Sequence, residues 1–254
     1  MNTKNPFSLD GEVALVTGGG TGIGKAITEA LAGAGAKIAI AGRRKEPLDL
    51  MASEHPGRVF GYVYDVTETK KAPSLIAQIE KDLGTPTILV NNAGVHLKKM
   101  GADVTVEEFQ KILDTHILGA HALCAAAIPG MRGKGRGSII YIASMAALFG
   151  IPYVTAYAAA KSAMLGIVRT LAVEYGTDGI RVNAIAPGWF ETEMSRKAMQ
   201  GDPERVKKVV NRTPLRRFGD PEDIGLAAVY LSSPAGRFIT GICLPVDGGV
   251  SIGF

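Results

Sequence analysis

Short apolar runs alternate with longer stretches of helical spacing along almost the whole 254-residue chain. The first run, Val13–Thr17, is apolar at successive positions, which is typical of a strand buried on both faces. A glycine cluster follows it, and then a stretch with helical spacing over Lys25–Ala34. Strands that alternate with helices favour parallel pairing through right-handed crossovers. The sequence therefore predicts an α/β fold with a single doubly wound parallel sheet and helices on both faces.

The same alternation continues to the end of the chain. Further strands are predicted at Lys37–Ala41, Val59–Tyr64, Thr87–Val90, Ser138–Ile142, Arg181–Ala186 and Ile242–Val246. Helices are predicted at Thr67–Leu83, Thr105–Ala127, Val154–Tyr175 and Asp220–Leu231, with a less regular segment over Glu191–Val210. The first of these helices begins at a Thr67 cap, and the second is either one helix or two with a bend. Without a linker or an internal repeat, we expect one domain over residues 1–254.

Composition and charge argue against several classes of protein. No run reaches the roughly 18 apolar residues of a membrane span, and residues 1–12 lack the basic start and apolar run of a signal peptide. The two cysteines, Cys124 and Cys243, have no C-x-x-C neighbour and fit a reducing compartment. The net charge of +4 comes from scattered basic residues. We therefore expect a cytoplasmic protein that binds no membrane, nucleic acid or metal ion.

A glycine-rich turn stands between the first predicted strand and the first helix. The segment Thr17–Gly24 contains the spacing G-x-x-x-G-x-G. Glycines here permit positive φ and let the backbone approach a pyrophosphate, which the N-terminus of the helix then binds. A tight turn without a ligand is the alternative. The position after the first strand favours dinucleotide binding in a Rossmann fold, at Gly18, Thr21, Gly22, Ile23 and Gly24.

Tyr157 and Lys161 are four residues apart on a predicted helix, so both side chains project from one face. A phenol with a pKa of about 10 is a poor base at neutral pH, and a nearby ammonium lowers that pKa. Ser144, just after a predicted strand, is a candidate partner. The ordinary alternatives are a solvated helix face for the pair and a helix cap for the serine. A phenol with a lowered pKa is better suited to acid–base chemistry at neutral pH.

These motifs, in this order, resemble those of the short-chain dehydrogenase/reductase family. The match covers nearly the whole chain and includes Asn91–Gly94 after the fourth predicted strand. The resemblance implies hydride transfer between a nicotinamide dinucleotide and a carbonyl/alcohol pair, with the serine, tyrosine and lysine as catalytic residues. It also implies that Asn91 caps the central sheet. Beyond the glycine turn, the implied cofactor contacts are Asp65, Val66, Asn92, Ala93, Gly94, Tyr157, Lys161, Pro187, Gly188, Phe190 and Thr192.

The choice between the two nicotinamide dinucleotides depends on the end of the second predicted strand. This position carries an acidic residue where a ribose 2′-hydroxyl is bound and an arginine where a 2′-phosphate is bound. Arg43 and Arg44 stand here, without a carboxylate to repel a phosphate. The alternative is that both are ordinary solvated charges. We predict NADP(H) rather than NAD(H).

His116 is the one departure from the family pattern. In the family, an asparagine at this position supports a helix bend whose backbone carbonyl holds a water, extending a proton path from the lysine to solvent. Histidine either takes over this catalytic role, with a pKa near 6.5 that adds pH dependence, or is a buried structural residue. A weakened relay and an altered substrate pocket are further alternatives, and all of them remain open at this stage.

The substrate is the least constrained part of the prediction. The resemblance implies a lid at about residues 190–217 and a homotetramer, and it extends to gluconate 5-dehydrogenases and 3-oxoacyl-carrier-protein reductases. A small-molecule substrate, either a sugar acid or polyol or a 3-oxoacyl compound, is therefore expected. The alternative from another class is a catalytically weak dinucleotide-binding sensor or scaffold on the same fold.

Overall fold

The computed structural model describes residues 5–191 and 202–253. The strands in this part of the chain are β1 (Val13–Thr17), β2 (Lys37–Gly42), β3 (Val59–Val63), β4 (Ile88–Asn91), β5 (Gly137–Ile142), β6 (Ile180–Pro187) and β7 (Cys243–Val246). The α-helices are α1 (Gly22–Gly33), α2 (Lys45–Glu54), α3 (Ala72–Leu83), α4 (Val106–Leu113), α5 (Gly119–Lys134), α6 (Thr155–Tyr175), α7 (Pro203–Arg212) and α8 (Pro221–Ser232). Each predicted strand is present, and its ends lie within one residue of the prediction.

The seven strands form one parallel sheet in the order β3-β2-β1-β4-β5-β6-β7. From β1 the chain moves outward to β3, then crosses back to β4 on the other side of β1. In such sheets the ligand binds beyond the carboxyl ends of the strands, at the point where the strand order reverses. The predicted doubly wound fold is confirmed, and it directs attention to the ends of β1 and β4.

The sheet separates two apolar cores because successive residues of a strand point to opposite faces. Ala14 and Val16 of β1 pack into the core covered by α1, α2 and α8. Val13 and Leu15 pack into the core covered by α3, α5 and α6. Both faces of the central strands are therefore buried, which explains why the sequence reads as continuous apolar runs.

Two helix boundaries are set by local hydrogen bonds. The prediction that Thr67 caps a helix is wrong, because Asp65 accepts hydrogen bonds from the Thr67 amide at 2.9 Å and its hydroxyl at 2.8 Å. This turn delays α3 to Ala72. Thr105, in contrast, caps α4 through a reciprocal pair of hydrogen bonds with Glu108. The chain then passes from α4 to α5 through one π-helical turn, Asp114–Leu118.

By length and composition alone, the helical stretches Val106–Lys134 and Thr155–Asp178 are apolar enough to cross a membrane. In the structure their apolar residues contact the sheet. Leu123 and Met131 of the first, and Met164 and Val168 of the second, are buried in the same core as the inner strands. Their apolar character is therefore used in packing this domain.

Candidate active site

The glycine turn and the Asn91–Gly94 segment are joined at the reversal point of the sheet. The Thr17 hydroxyl accepts hydrogen bonds from the Asn92 amide at 3.0 Å and the Ala93 amide at 2.9 Å. The Asn92 side chain in turn donates to the Thr17 carbonyl at 2.8 Å. Gly18 then takes φ +67° and donates its N–H to the Ala41 carbonyl at 2.7 Å. Hydrogen bonds between β1, β2 and the segment after β4 thus fix the conformation of the glycine turn.

Two positions in the first turn of α1 favour glycine over any larger residue. A Cβ on Gly24 would overlap the Gly18 carbonyl oxygen and lie 2.5 Å from the Asn92 side-chain nitrogen. Gly22 has φ +55°, a conformation that costs a non-glycine residue energy. The backbone of the turn therefore comes close to the helix N-terminus, as it must where N–H groups bind a phosphate. Ile23 lies between these two glycines in the first turn of α1.

A cavity of about 460 Å³ opens over this turn at the carboxyl edge of the sheet. It brings together predicted cofactor residues from four separate segments. These residues are Gly18, Thr21, Arg43, Arg44, Asp65, Val66, Ala93 and Gly94. Its size and its two exposed arginines suit the adenosine and phosphate portion of a dinucleotide.

Of the remaining predicted cofactor residues, Pro187, Gly188 and Phe190 lie at or just after the end of β6, Tyr157 and Lys161 lie on α6, and Thr192 is outside the described residues. Pro187 ends that strand, and Gly188 packs so closely on Asp247 that a Cβ would lie 2.7 Å from it. Phe190 is buried and pairs with Gly219.

Asn91 lies apart from this cleft. Its side-chain nitrogen donates to the Cys124 sulfur at 3.4 Å, inside the core under α5.

Ser144, Tyr157 and Lys161 meet beside this cleft. Ser144 follows β5, and its hydroxyl is hydrogen-bonded to the Tyr157 hydroxyl. The Lys161 ammonium is buried, lies 5.4 Å from the centre of the Tyr157 ring, and donates to the Ile142 carbonyl at 2.6 Å. Ser144 also accepts a hydrogen bond from the Ala146 amide at 3.1 Å. The serine is therefore both a cap, the ordinary alternative, and a partner of the tyrosine.

Comparison with known proteins decides the family. Residues 18–251 match the family model described as "Enoyl-(Acyl carrier protein) reductase". The gluconate 5-dehydrogenase of Gluconobacter oxydans is 34% identical over 99% of this chain and 99% of its own. The 3-oxoacyl-[acyl-carrier-protein] reductase of Thermotoga maritima is 34% identical over 96% and 99%.

A solved structure, a gluconate 5-dehydrogenase from Burkholderia cenocepacia in complex with NADP and tartrate, superposes with a TM-score of 0.93. It is 32% identical and covers 98% of each chain. The chain belongs to the short-chain dehydrogenase/reductase family. Like its relatives it is an NAD(P)-dependent enzyme that acts on alcohol and carbonyl groups.

The electrostatics of this short-chain dehydrogenase/reductase differ from the sequence-based expectation. Burial raises the pKa of Tyr157, and the hydrogen bond with Ser144 lowers it by less. Burial also lowers the pKa of Lys161 to about 7. The expectation that the ammonium makes the phenol more acidic is therefore wrong for this structure, because Lys161 is directed at the Ile142 carbonyl and desolvation dominates both groups.

His116 lies in the π-helical turn between α4 and α5, and it is 1% exposed. Its Nε2 atom is 2.8 Å from the Val95 carbonyl oxygen and 3.1 Å from the Val95 amide nitrogen. The ring also meets the Tyr157 ring edge-on, with centres 5.6 Å apart. Nδ1 has no hydrogen-bond partner among the described residues. The histidine therefore connects the chain after Gly94 to the tyrosine from within the protein.

Replacing His116 by asparagine is expected to make stability less dependent on pH. Burial, reinforced by the charge of Lys161, lowers the His116 pKa from 6.5 to about 4. The stabilisation by the neutral ring is complete above pH 6.5 and is lost as the pH falls toward 4, because only the unfolded chain binds a proton there. Between pH 7 and pH 5, wild type should lose about 2 kcal/mol more free energy of unfolding than His116→Asn. Urea unfolding at each pH measures this difference.

The exposed His121 on α5 provides the control for this prediction. His121→Asn should keep the pH dependence of wild type, and parallel curves for wild type and His116→Asn would show that His116 does not carry it. Activity at neutral pH should be retained or raised, because an amide offers Val95 a donor and an acceptor together.

His96 is a residue of the site that the sequence analysis did not identify. Its ring centre lies 5.0 Å from that of Tyr157, closer than the ring of His116. The residue is exposed at the mouth of the site. Its place two residues after the Asn91–Gly94 segment is the signal that was available.

Proposed function

We propose that this protein interconverts a carbonyl and a secondary alcohol with NADP(H), using Tyr157 as the general acid and base. The observation that carries the proposal is the convergence of Ser144, Tyr157 and Lys161 beside Gly94, where the cleft at the sheet edge ends. His116 touches both sides of this convergence, since a Cβ on Gly94 would lie 2.5 Å from its ring.

Each side chain has a separate task in the proposed reduction. The Tyr157 hydroxyl gives its proton to the carbonyl oxygen, and Ser144 holds that oxygen by a hydrogen bond. Lys161, with a pKa near neutrality, holds the ribose hydroxyls and favours reprotonation of Tyr157 after its proton has been transferred. The dinucleotide, when bound, supplies the hydride. Oxidation of the alcohol reverses these proton transfers. The test is turnover of a panel of sugar acids, polyols and 3-oxoacyl thioesters with each cofactor.

Arg43 supports the proposed preference for NADP(H). It lies exposed in the cavity over the glycine turn, and its charge adds a small contribution to the Thr67 hydrogen bonds that, against the effect of burial, lower the pKa of the Asp65 carboxyl. We expect Arg43→Ala to raise the KM for NADPH about 10- to 100-fold, because a charge-assisted contact with the 2′-phosphate is lost. The KM for NADH should change less than threefold. Lys45→Ala, which removes an exposed charge paired with Asp49, is the matched control. Equal losses with NADPH and NADH would contradict the assignment.

The proposed substrate is a sugar acid or polyol, with a 3-oxoacyl compound as the second possibility. Similarity to gluconate 5-dehydrogenases supports the first class and similarity to the Thermotoga reductase the second. We propose one domain over residues 1–254, in which residues 190–217 form a lid. In the described part of this segment, the Arg212 guanidinium of α7 lies 4.5 Å from the centre of the Phe149 ring, on the chain that follows Ser144. This contact would connect the lid to the catalytic loop.

We also propose that the protein is a cytoplasmic homotetramer. Large apolar side chains at the β7 end of the sheet are exposed, with Phe238 at 99% and Ile252 at 88%. Val173 on α6 is similarly exposed. Association of subunits through these surfaces would bury the three side chains. Light scattering coupled to gel filtration tests the assembly.

A further inference from the structure

The segment Val95–Lys99 forms a strap that follows β4, belongs to no helix or strand, and reaches Tyr153 just before α6. The Lys99 amide fixes it by donating to the Tyr153 carbonyl at 2.8 Å. Exposure alternates along the strap, with His96 and Lys98 exposed and the residues between them partly buried. This alternation places His96 and Lys98 together on the solvent-facing side of the strap.

This side faces two tyrosines at the entrance to the site. The His96 ring lies 5.0 Å from that of Tyr157, and the Lys98 ammonium lies 6.0 Å from the ring centre of Tyr153. Tyr153 has φ +70°, a strained conformation for a bulky residue, and its side chain is 47% exposed. Strain of this kind concentrates at functional sites.

Lys98 and its neighbour differ in their charge partners. The Lys99 ammonium is neutralised by Glu108 at 2.9 Å. Within residues 5–191 and 202–253, no carboxylate lies within 4 Å of the Lys98 ammonium. A cation at the entrance to a catalytic cleft attracts an anionic ligand.

We propose that His96 and Lys98 bind the carboxylate of an acidic substrate while its hydroxyl reaches Tyr157. This inference rests on the proposed oxidoreductase function. Of the proposed substrate classes, a polyhydroxy acid meets this requirement because it carries both a carboxylate and several hydroxyl groups.

The test is binding of D-gluconate and D-glucitol to the enzyme saturated with NADPH, measured by calorimetry. The two ligands differ only in carrying a carboxylate or a hydroxymethyl group, and neither is oxidised because the cofactor is already reduced. We expect gluconate to bind at least tenfold more tightly than glucitol. Lys98→Gln should remove most of this preference by weakening gluconate alone, and His96→Phe should reduce it further.

Lys99→Gln is the matched control, since it removes an adjacent charge that is already paired with Glu108. It should leave the preference unchanged. Equal affinity for the two ligands, no measurable binding of gluconate, or a preference that survives Lys98→Gln would overturn the proposal. A carboxylate preference without turnover of any compound in the substrate panel would support this site and contradict the proposed reaction, so the two failures are distinguishable.

Discussion

Tyr157→Phe is expected to lower kcat by about 1,000-fold, the usual contribution of a general acid or base. The phenyl ring keeps the contacts with the rings of His96 and His116. What is lost is the hydroxyl that is hydrogen-bonded to Ser144 and that would protonate the substrate oxygen. Steady-state kinetics with the best ketone from the substrate panel measure the effect.

Binding of NADPH separates this loss of chemistry from a loss of structure. Its Kd for Tyr157→Phe should lie within about threefold of wild type, since less than 1 kcal/mol is then lost. Tyr175→Phe, at the far end of the same helix α6, is the matched control and should keep wild-type kcat. Turnover by Tyr157→Phe at a rate close to wild type would remove the phenol from the mechanism.

Gly24→Ala is expected to abolish measurable binding of NADPH and to reduce the free energy of unfolding. The added methyl group overlaps the Gly18 carbonyl oxygen, which is backbone, and the Asn92 side chain, which holds β1 to β4. The turn must therefore shift away from the helix N-terminus that would bind the phosphates. Overpacking of a rigid site costs about 1–3 kcal/mol. Fluorescence titration with NADPH and urea unfolding give the two quantities.

Gly33→Ala tests the same chemical change on the same helix in open space. A Cβ at Gly33 would have no heavy atom within 4 Å. This variant should bind NADPH like wild type and gain about 0.5–1 kcal/mol of stability, because alanine restricts the unfolded chain. If Gly24→Ala bound NADPH as wild type does, the glycine turn would not be the cofactor cradle.

The sequence predicts the sheet well because its strands are buried on both faces. A continuous apolar run such as Val13–Thr17 is typical of a strand buried on both faces, and turn residues mark its ends clearly. The start of α3 was misplaced because the hydrogen bonds between Asp65 and Thr67 compete with the helix. The π-helical turn was predicted only as a possible bend, since its geometry depends on packing around His116.

The positions of the site residues could be predicted from the sequence better than the directions of their pKa shifts. Spacing on a helix places Tyr157 beside Lys161, but the direction of the tyrosine pKa depends on burial and on the Ile142 carbonyl that holds the lysine. Burial and the hydrogen bond from Lys161 to Ile142 both depend on tertiary structure. His96 was missed for a similar reason, because nothing local shows that the strap folds back onto α6.

The most direct test of the proposed mechanism follows a deuterium atom from cofactor to product. The enzyme is given a carbonyl substrate from the panel and NADPH deuterated at both C4 positions of the nicotinamide, and the alcohol product is examined by mass spectrometry. The proposed mechanism predicts one deuterium on the new carbinol carbon with wild type, and about 1,000-fold slower formation of the same product with Tyr157→Phe. It would be contradicted if wild type bound NADPH yet transferred deuterium to none of the carbonyl compounds, as a dinucleotide-binding sensor or scaffold would.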